Sequence, residues 1–445
     1  MRFPHFFTQA LFPIRSHYPS RWQWTKRFLL SSIACIAVLM GGFPAISSGQ
    51  AASNAALSLA QPTENFPAEK LEILRESWMA YRDRFIQADG RVIDWEDDQR
   101  STSEGQAYAM LRAVLIGDRE TFDRTFAWAE NNLNRKNEAG ETTDRLWAWK
   151  WGKNSRGEWG TIDPNFASDA DIDAVTALIL AARRWHNPDY VDQARSKLKD
   201  LWALSIVSAA DQTPYLLPGP KSVFQPQPNQ LILNPSYLAP YAFRLFAQVD
   251  NERNWMRLVD SSYQTIEQSA TISEVGLPSD WVMLDLQKGE FHPVTTASQL
   301  QSRYGFDAYR VWWRVALDAI WFQEPKALAY LENHLTHLQQ EWRNQQKLPA
   351  QISLQGKPMV DYEATAQYAM LYPALQRVDS TMADQIYQQK LLPAYKNGFW
   401  DNNSAYYTQN LAWFALLPAT PPAQIDRTAS TGRSNCFQFM SRLNR

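Results

Sequence analysis

Ser101-Thr-Ser-Glu104-Gly-Gln-Ala-Tyr108-Ala-Met-Leu111 places a polar, acid-bearing opening in front of an Ala- and aromatic-rich run. Five later stretches share that character. They begin near Ser168 (SDADIDAVTALILAARRW), Asn234 (NPSYLAPYAFRLFA), Tyr304 (YGFDAYRVWWRVALDAIW), Tyr362 (YEATAQYAMLYPAL) and Tyr406 (YYTQNLAWFALLPA). Between consecutive members lies a more charged segment with helical spacing. A helix that is apolar all round is buried, whereas one apolar stripe marks a surface helix. Six buried helices alternating with six surface helices predict a closed double ring of helix hairpins.

The connecting segments fit that plan. Glu69 to Ile86 carries Leu71, Leu74, Trp78, Tyr81 and Phe85 along one stripe, as a surface helix would. Further surface helices are expected at Glu120–Leu133, Asp189–Leu204, Glu252–Gln268, Pro325–Asn344 and Ser380–Tyr395. Asn134 to Phe166 is polar, Gly-rich and Trp-rich. Its Trp147, Trp149, Trp151 and Trp159 suit an extended segment with rings along one face. Asp211 to Gln230 holds five prolines and reads as a loop or edge strands. No linker is long enough to divide the span into two domains.

Composition narrows the function. Residues 1–60 carry five Lys/Arg and no acid, which leaves the remainder of this −2 chain at −7. A mildly acidic body argues against nucleic acid or an anionic membrane as the main partner. The chain has 19 Trp, more than a core needs. The surplus suggests a groove that stacks flat apolar faces such as sugar rings. Cys35 lies in the apolar leader and Cys436 in the tail, so the two cysteines say nothing about redox compartment. The six histidines lack zinc-like spacing.

Lys26-Arg27 precede an apolar run from Phe28 to about Ile46, followed by small residues. Residues 1–60 are therefore expected to be a signal peptide or an N-terminal membrane anchor through 28–46. The protein is expected to be exported, periplasmic or secreted. Residues 61–420 form the expected catalytic domain. The polar, basic end, 421–445, is expected to be a disordered tail.

Three motifs resemble one known family. Thr102-Ser-Glu104-Gly-Gln-Ala-Tyr108-Ala-Met110 resembles the acid-bearing motif of glycoside hydrolase family 8, the inverting endoglucanases. Ala167-Ser-Asp169-Ala-Asp171-Ile-Asp173 resembles its signature, down to Trp185. Tyr304-Gly-Phe-Asp307-Ala-Tyr-Arg310 resembles its base motif. The resemblance covers about residues 65 to 418, with the motifs in the family's order. It departs at Ala174-Val175, where the signature has Ile or Met and then Ala; both are expected to be packing positions. The resemblance implies an all-α (α/α)6 barrel and an exported endo-β-1,4-glucanase, a cellulase-type hydrolase that uses no metal or other cofactor. Glu104 would then be the general acid, Asp307 the general base, and Asp169 the residue that binds and distorts the sugar. The implied partner is a β-1,4-glucan, met by a monomer. Chitosan, xylan or mixed-linkage glucan is the alternative substrate. A glucan-binding component of a cellulose-producing apparatus is the non-enzymatic alternative.

The residues also admit plainer readings. Ser101 and Glu104 match a capping box. Asp307 fits an N-cap of the fourth buried helix. Asp169-x-Asp171-x-Asp173 looks like a calcium loop, but Ala174 and Leu180 replace the required Gly and Glu. Asp94, Asp97 and Asp98 lack the basic cluster of a diphosphate site and read as a solvated acidic loop. A helix N-terminus favours an ionised carboxylate, so an acid at Glu104 needs burial or a nearby carboxyl to raise its pKa. Asp169 is the expected neighbour. Arg310, one turn past Asp307, is expected to hold that carboxylate ionised. Tyr237 and Tyr304 are expected at the mouth, and Trp147, Trp149, Trp151 and Trp159 on the sugar groove.

Overall fold

The structure is a computed structural model that describes residues 67–294 and 300–417. The expected leader or anchor in residues 1–60, both cysteines and the expected tail at 421–445 lie outside the described residues. Among those described, no helix is long and apolar enough to cross a membrane.

Six inner helices span Ser103–Ile116, Ser168–Trp185, Pro240–Val249, Tyr309–Trp321, Thr365–Val378 and Tyr406–Ala415. Each packs on the next, and the sixth returns to the first, closing the ring. Outside them run Ala68–Phe85, Arg119–Asn132, Asp189–Ser205 and Trp255–Thr271, then a broken pair, Pro325–His334 and Thr336–Gln345, and finally Ser380–Ile386, which runs into a π-turn at Tyr387–Leu391. This is the (α/α)6 barrel.

Burial separates the two rings as the pattern predicts. Ser168–Trp185 is buried continuously from Ser168 to Arg183. The surface helix after it buries only Tyr190, Ala194, Lys197, Leu198, Leu201 and Ser205, a stripe at helical spacing. The hairpins are tight. Gly117, at φ +93°, ends the first inner helix, and Asp118 caps the next one by accepting the Thr121 N–H.

Short antiparallel strands sit in the connections. Ser101–Thr102 pairs with Lys150–Lys153, which pairs in turn with Trp159–Asp163. Asn134–Lys136 pairs with Thr142–Trp147. Gln230–Leu233, Val282–Asp285 and Glu290–Pro293 form a third sheet. Because Ser101–Thr102 leads straight into the first inner helix, its sheet is fastened to the end of the barrel where that helix starts.

Three local expectations need correction. Ser101 is not the helix cap: Thr102 Oγ1 accepts the Gly105 N–H at 3.0 Å, while Ser101 bonds Val92 and Arg91. Asp307 is not an N-cap, since the fourth inner helix starts only at Tyr309, after Ala308. Asp94 is not fully solvated: its main chain bridges to Arg100, and burial pushes its carboxyl up to about 6.

Candidate active site

Four inner-helix openings meet on one guanidinium. Arg310 Nη1 donates to Glu104 Oε2 at 2.8 Å and to Asp169 Oδ2 at 2.8 Å. Its Nη2 donates to Asp307 Oδ1 at 2.7 Å and to Ser236 Oγ at 3.1 Å. These partners start the first, second, fourth and third members of the ring. The sixth contributes Tyr406, whose hydroxyl donates to the other oxygen of Glu104, Oε1, at 3.0 Å. Residues far apart in sequence thus converge because alternate helices of a hairpin ring run the same way.

The three carboxyls are not equivalent. Glu104 and Asp169 share one nitrogen of Arg310, whereas Asp307 takes the other. The Asp307 side chain is 32% exposed, that of Glu104 17% and that of Asp169 2%. One cation facing three carboxyls in a desolvated space cannot hold them all ionised cheaply. Burial pushes Glu104 up to about 7, and Asp169 and Asp307 add to the push against Arg310 and Tyr406. Burial is the larger cause, and Asp169 contributes as the expected neighbour. Burial also raises Asp169, opposed by Arg310 and Arg314.

A second ion pair underlies the first. One turn on from Asp169 and Arg310, Arg314 grips Asp173 with two bonds of 2.8 and 2.9 Å. Its Nε donates to the Ser236 carbonyl at 2.9 Å, which fixes the third opening as well. Asp171 points elsewhere: its Oδ1 accepts the Trp147 N–H at 3.3 Å, with Lys197 Nζ at 4.0 Å, and burial pushes it up to about 7. Asp171 and Asp173 therefore serve packing between elements.

The aromatic candidates divide. Trp159 is 44% exposed and stacks on Trp151 at 5.1 Å, with the Arg91 guanidinium 4.4 Å from its centroid. Trp151 pairs with Ser101, so this ring pair is tied to the strand leading into Glu104. Trp149 is nearly buried, and its carbonyl accepts the Ser103 N–H at 3.0 Å, anchoring the start of that helix. Trp147 is 1% exposed, lies in the core and donates to Glu130 at 2.8 Å. The expectation that Trp147 lines the groove is therefore corrected. Tyr304 is corrected likewise: it is buried, and its hydroxyl accepts from Trp312 at 3.1 Å. Tyr237 is buried under the site, with Arg310 5.3 Å from its ring centroid.

Sequence reasoning missed Ser236, Tyr406 and Tyr407, whose hydroxyl donates to the Phe306 carbonyl at 2.8 Å beside Asp307. The signal was present, because each stands where an inner helix opens. Among the described residues, no group of three or more His, Cys, Asp or Glu is arranged to hold a metal ion. The three carboxyls on Arg310 offer proton chemistry: one is pushed up to about 7 by burial, and a second, more exposed one lies on the far nitrogen of the same arginine.

The family model described as Glycosyl hydrolases family 8 matches residues 51–420. The "Endoglucanase" of Xanthomonas axonopodis pv. citri (strain 306) is 34% identical over 245 residues, 54% of this chain and 60% of that protein. The "Endoglucanase" of Escherichia coli (strain K12) is 33% identical over 214 residues, 48% of this chain and 55% of that protein. The matched regions thus span little more than half of each relative's length. Among solved structures, the endo-1,4-D-glucanase of Vibrio fischeri ES114 superposes with a TM-score of 0.66 at 25% identity, covering 76% of this chain and 93% of that one. A family 8 endoglucanase of Klebsiella pneumoniae gives a TM-score of 0.61 at 27% identity, over 76% and 98% of the two chains.

Proposed function

The chain belongs to glycosyl hydrolase family 8, and from that premise we propose that it is an endo-acting β-1,4-glucanase that cleaves with inversion. The observation that carries this reading is the single guanidinium with three unlike carboxyls on it. Glu104, buried and raised to about 7, donates its proton to the glycosidic oxygen. Asp307, the most exposed of the three, takes a proton from the water that attacks C1. The C1–O bond breaks, its electron pair stays on the leaving oxygen, and the Glu104 proton completes that hydroxyl. Turnover leaves Asp307 protonated and Glu104 ionised, and solvent resets both. Asp169, fixed by Arg310, takes the sugar-holding role that the family resemblance implies, and it also adds to the push on Glu104. Trp151 and Trp159 provide a stacking surface for further glucose units. The endoglucanase names of the relatives support a cellulose-type substrate.

The deciding experiment is proton NMR of the first product from a β-1,4-glucan oligomer. The expected product is the α-anomer. A β-anomer formed first would make one carboxylate a nucleophile and overturn the scheme.

We also propose export, on the strength of Lys26-Arg27 ahead of the apolar 28–46 run. Protein from the native host should begin between about Ala52 and Gln61, or remain membrane-bound through 28–46. N-terminal sequencing that found a soluble cytoplasmic product starting at Met1 would refute both.

A further inference from the structure

The turn that carries Asp307 is gripped from behind by Asp280, a carboxyl with no part in the scheme above. Asp280 lies between the surface helix Trp255–Thr271 and the strand Val282–Asp285, and it is buried. Its N–H donates to the Arg303 carbonyl at 2.6 Å, and its Oδ1 accepts the Ala308 N–H at 2.9 Å. Arg303 Nε stands 3.4 Å from Oδ2. Both ends of the 303–308 turn therefore hang on one residue, and Asp307 sits within it. The approach is close at Gly305: a Cβ there would lie 2.6 Å from Asp280 Oδ2, so a larger residue would have to displace that carboxyl. A second fastening backs the first, since Tyr304 and Ile352 exchange main-chain N–H···O bonds of 2.9 Å.

The ionisable groups acting on Asp280 or felt from it are Arg303, Tyr304, Asp307, Tyr309 and Tyr407. Burial, and then the charge of Asp307, push Asp280 up to about 7. A neutral carboxylic acid still accepts through its carbonyl oxygen, so the bond from Ala308 does not depend on a second negative charge beside Asp307.

We propose that Asp280 is the positioning residue of the base: through the Ala308 N–H it aims Asp307 at the attacking water, without touching substrate. This rests on the hydrolase reading. The test uses the full chain with Asp280→Ala and Asp280→Asn, since an amide oxygen can still accept from Ala308. Steady-state kinetics on a glucan oligomer are read beside hydrogen exchange of the 303–310 segment. Asp280→Ala should lower kcat by about 100-fold, with KM changed by less than about threefold. Exchange at Ala308 should speed up by about tenfold or more. Asp280→Asn should return both to within about fivefold of the parent, with the acid limb of the pH profile unmoved. Fast Ala308 exchange without a kcat loss would overturn the proposal. So would a kcat loss with parental exchange, or an Asn variant that fails to rescue. If Asp280→Ala does not fold, the Asn variant decides by the same two readings. If the parent itself releases no sugar, the hydrolase reading fails, and exchange at Ala308 in the two variants still decides whether Asp280 holds the turn.

Discussion

At the scale of single residues, the governing fact is a charge imbalance in a desolvated space. Arg310 brings one positive charge to three carboxyls, and a proton on Glu104 relieves the excess. Activity should therefore fall as pH rises through about 7, which a pH–kcat profile reads directly. Glu104→Gln should cost about 10²–10⁴-fold, with the least loss on substrates whose leaving group needs no protonation. Asp307→Asn should abolish turnover on all substrates while oligosaccharide binding persists; an active variant would remove Asp307 from the base role. The same carboxyl affects stability. Because its folded pKa lies above the unfolded one, its contribution is complete below the unfolded value and is lost as pH rises through about 7. Glu104→Gln should therefore melt a few degrees above the parent at pH 8 and level with it at pH 4; parallel melting curves at the two pH values would refute this. Glu104, Asp169, Asp307 and Arg310 were legible in the sequence because each belongs to a local motif. Asp280 was not, because its partners at 303 and 308 lie 23 and 28 positions away, outside any local motif.

At the scale of elements, the Trp-rich connection shows where periodicity misleads. Trp147, Trp149 and Trp151 share a parity, which on one strand would put all three rings on one face. They do not share a strand: Thr142–Trp147 pairs with Asn134–Lys136, and Lys150–Lys153 belongs to another sheet. The chain changes partners at Ala148 and Trp149, so Trp147 turns into the core while Trp151 stays beside Trp159. Two substitutions separate these fates. Trp159→Ala should weaken binding of long glucan oligomers and leave the melting temperature nearly unchanged. Trp147→Ala should cost about 3–5 kcal/mol of stability, read by denaturant unfolding. A stable Trp147→Ala chain with weakened affinity would reverse the assignment. The inner helices were legible because nearly every side is apolar, a pattern only a buried helix produces.

At the scale of the whole molecule, what matters is closure of the ring. The last inner helix packs on the first surface helix: Trp413 Nε1 donates to the Leu74 carbonyl at 3.0 Å, Asn410 to the Tyr81 hydroxyl at 3.2 Å. Arg84 Nε reaches the Asn403 carbonyl at 3.0 Å. Arg112 completes the seam, bonding Asn410 and the Ser77 carbonyl beneath the Trp78, Tyr81 and Trp413 rings. A chain truncated before Tyr406 should lose both cooperative melting and activity, because it forfeits the seam and the Tyr406 bond to Glu104. Retained activity would show that five hairpins and a surface helix suffice. The six-fold repetition was legible, but its closing contacts were not, since they join residues some 300 positions apart. As numbers rise along the first surface helix, from 74 to 84, their partners fall from 413 to 403, so the start of that helix, at Ala68, lies at the same end of the seam as the close of the last inner helix, at Ala415. Circular permutation follows from this. A short peptide joining those two points, with new termini cut in the open turn at Gly140, would leave every helix beside its present neighbours. Such a rearranged gene should still yield a protein that melts in one step and releases the same anomer, because in a closed ring the order of assembly in space does not depend on where translation starts.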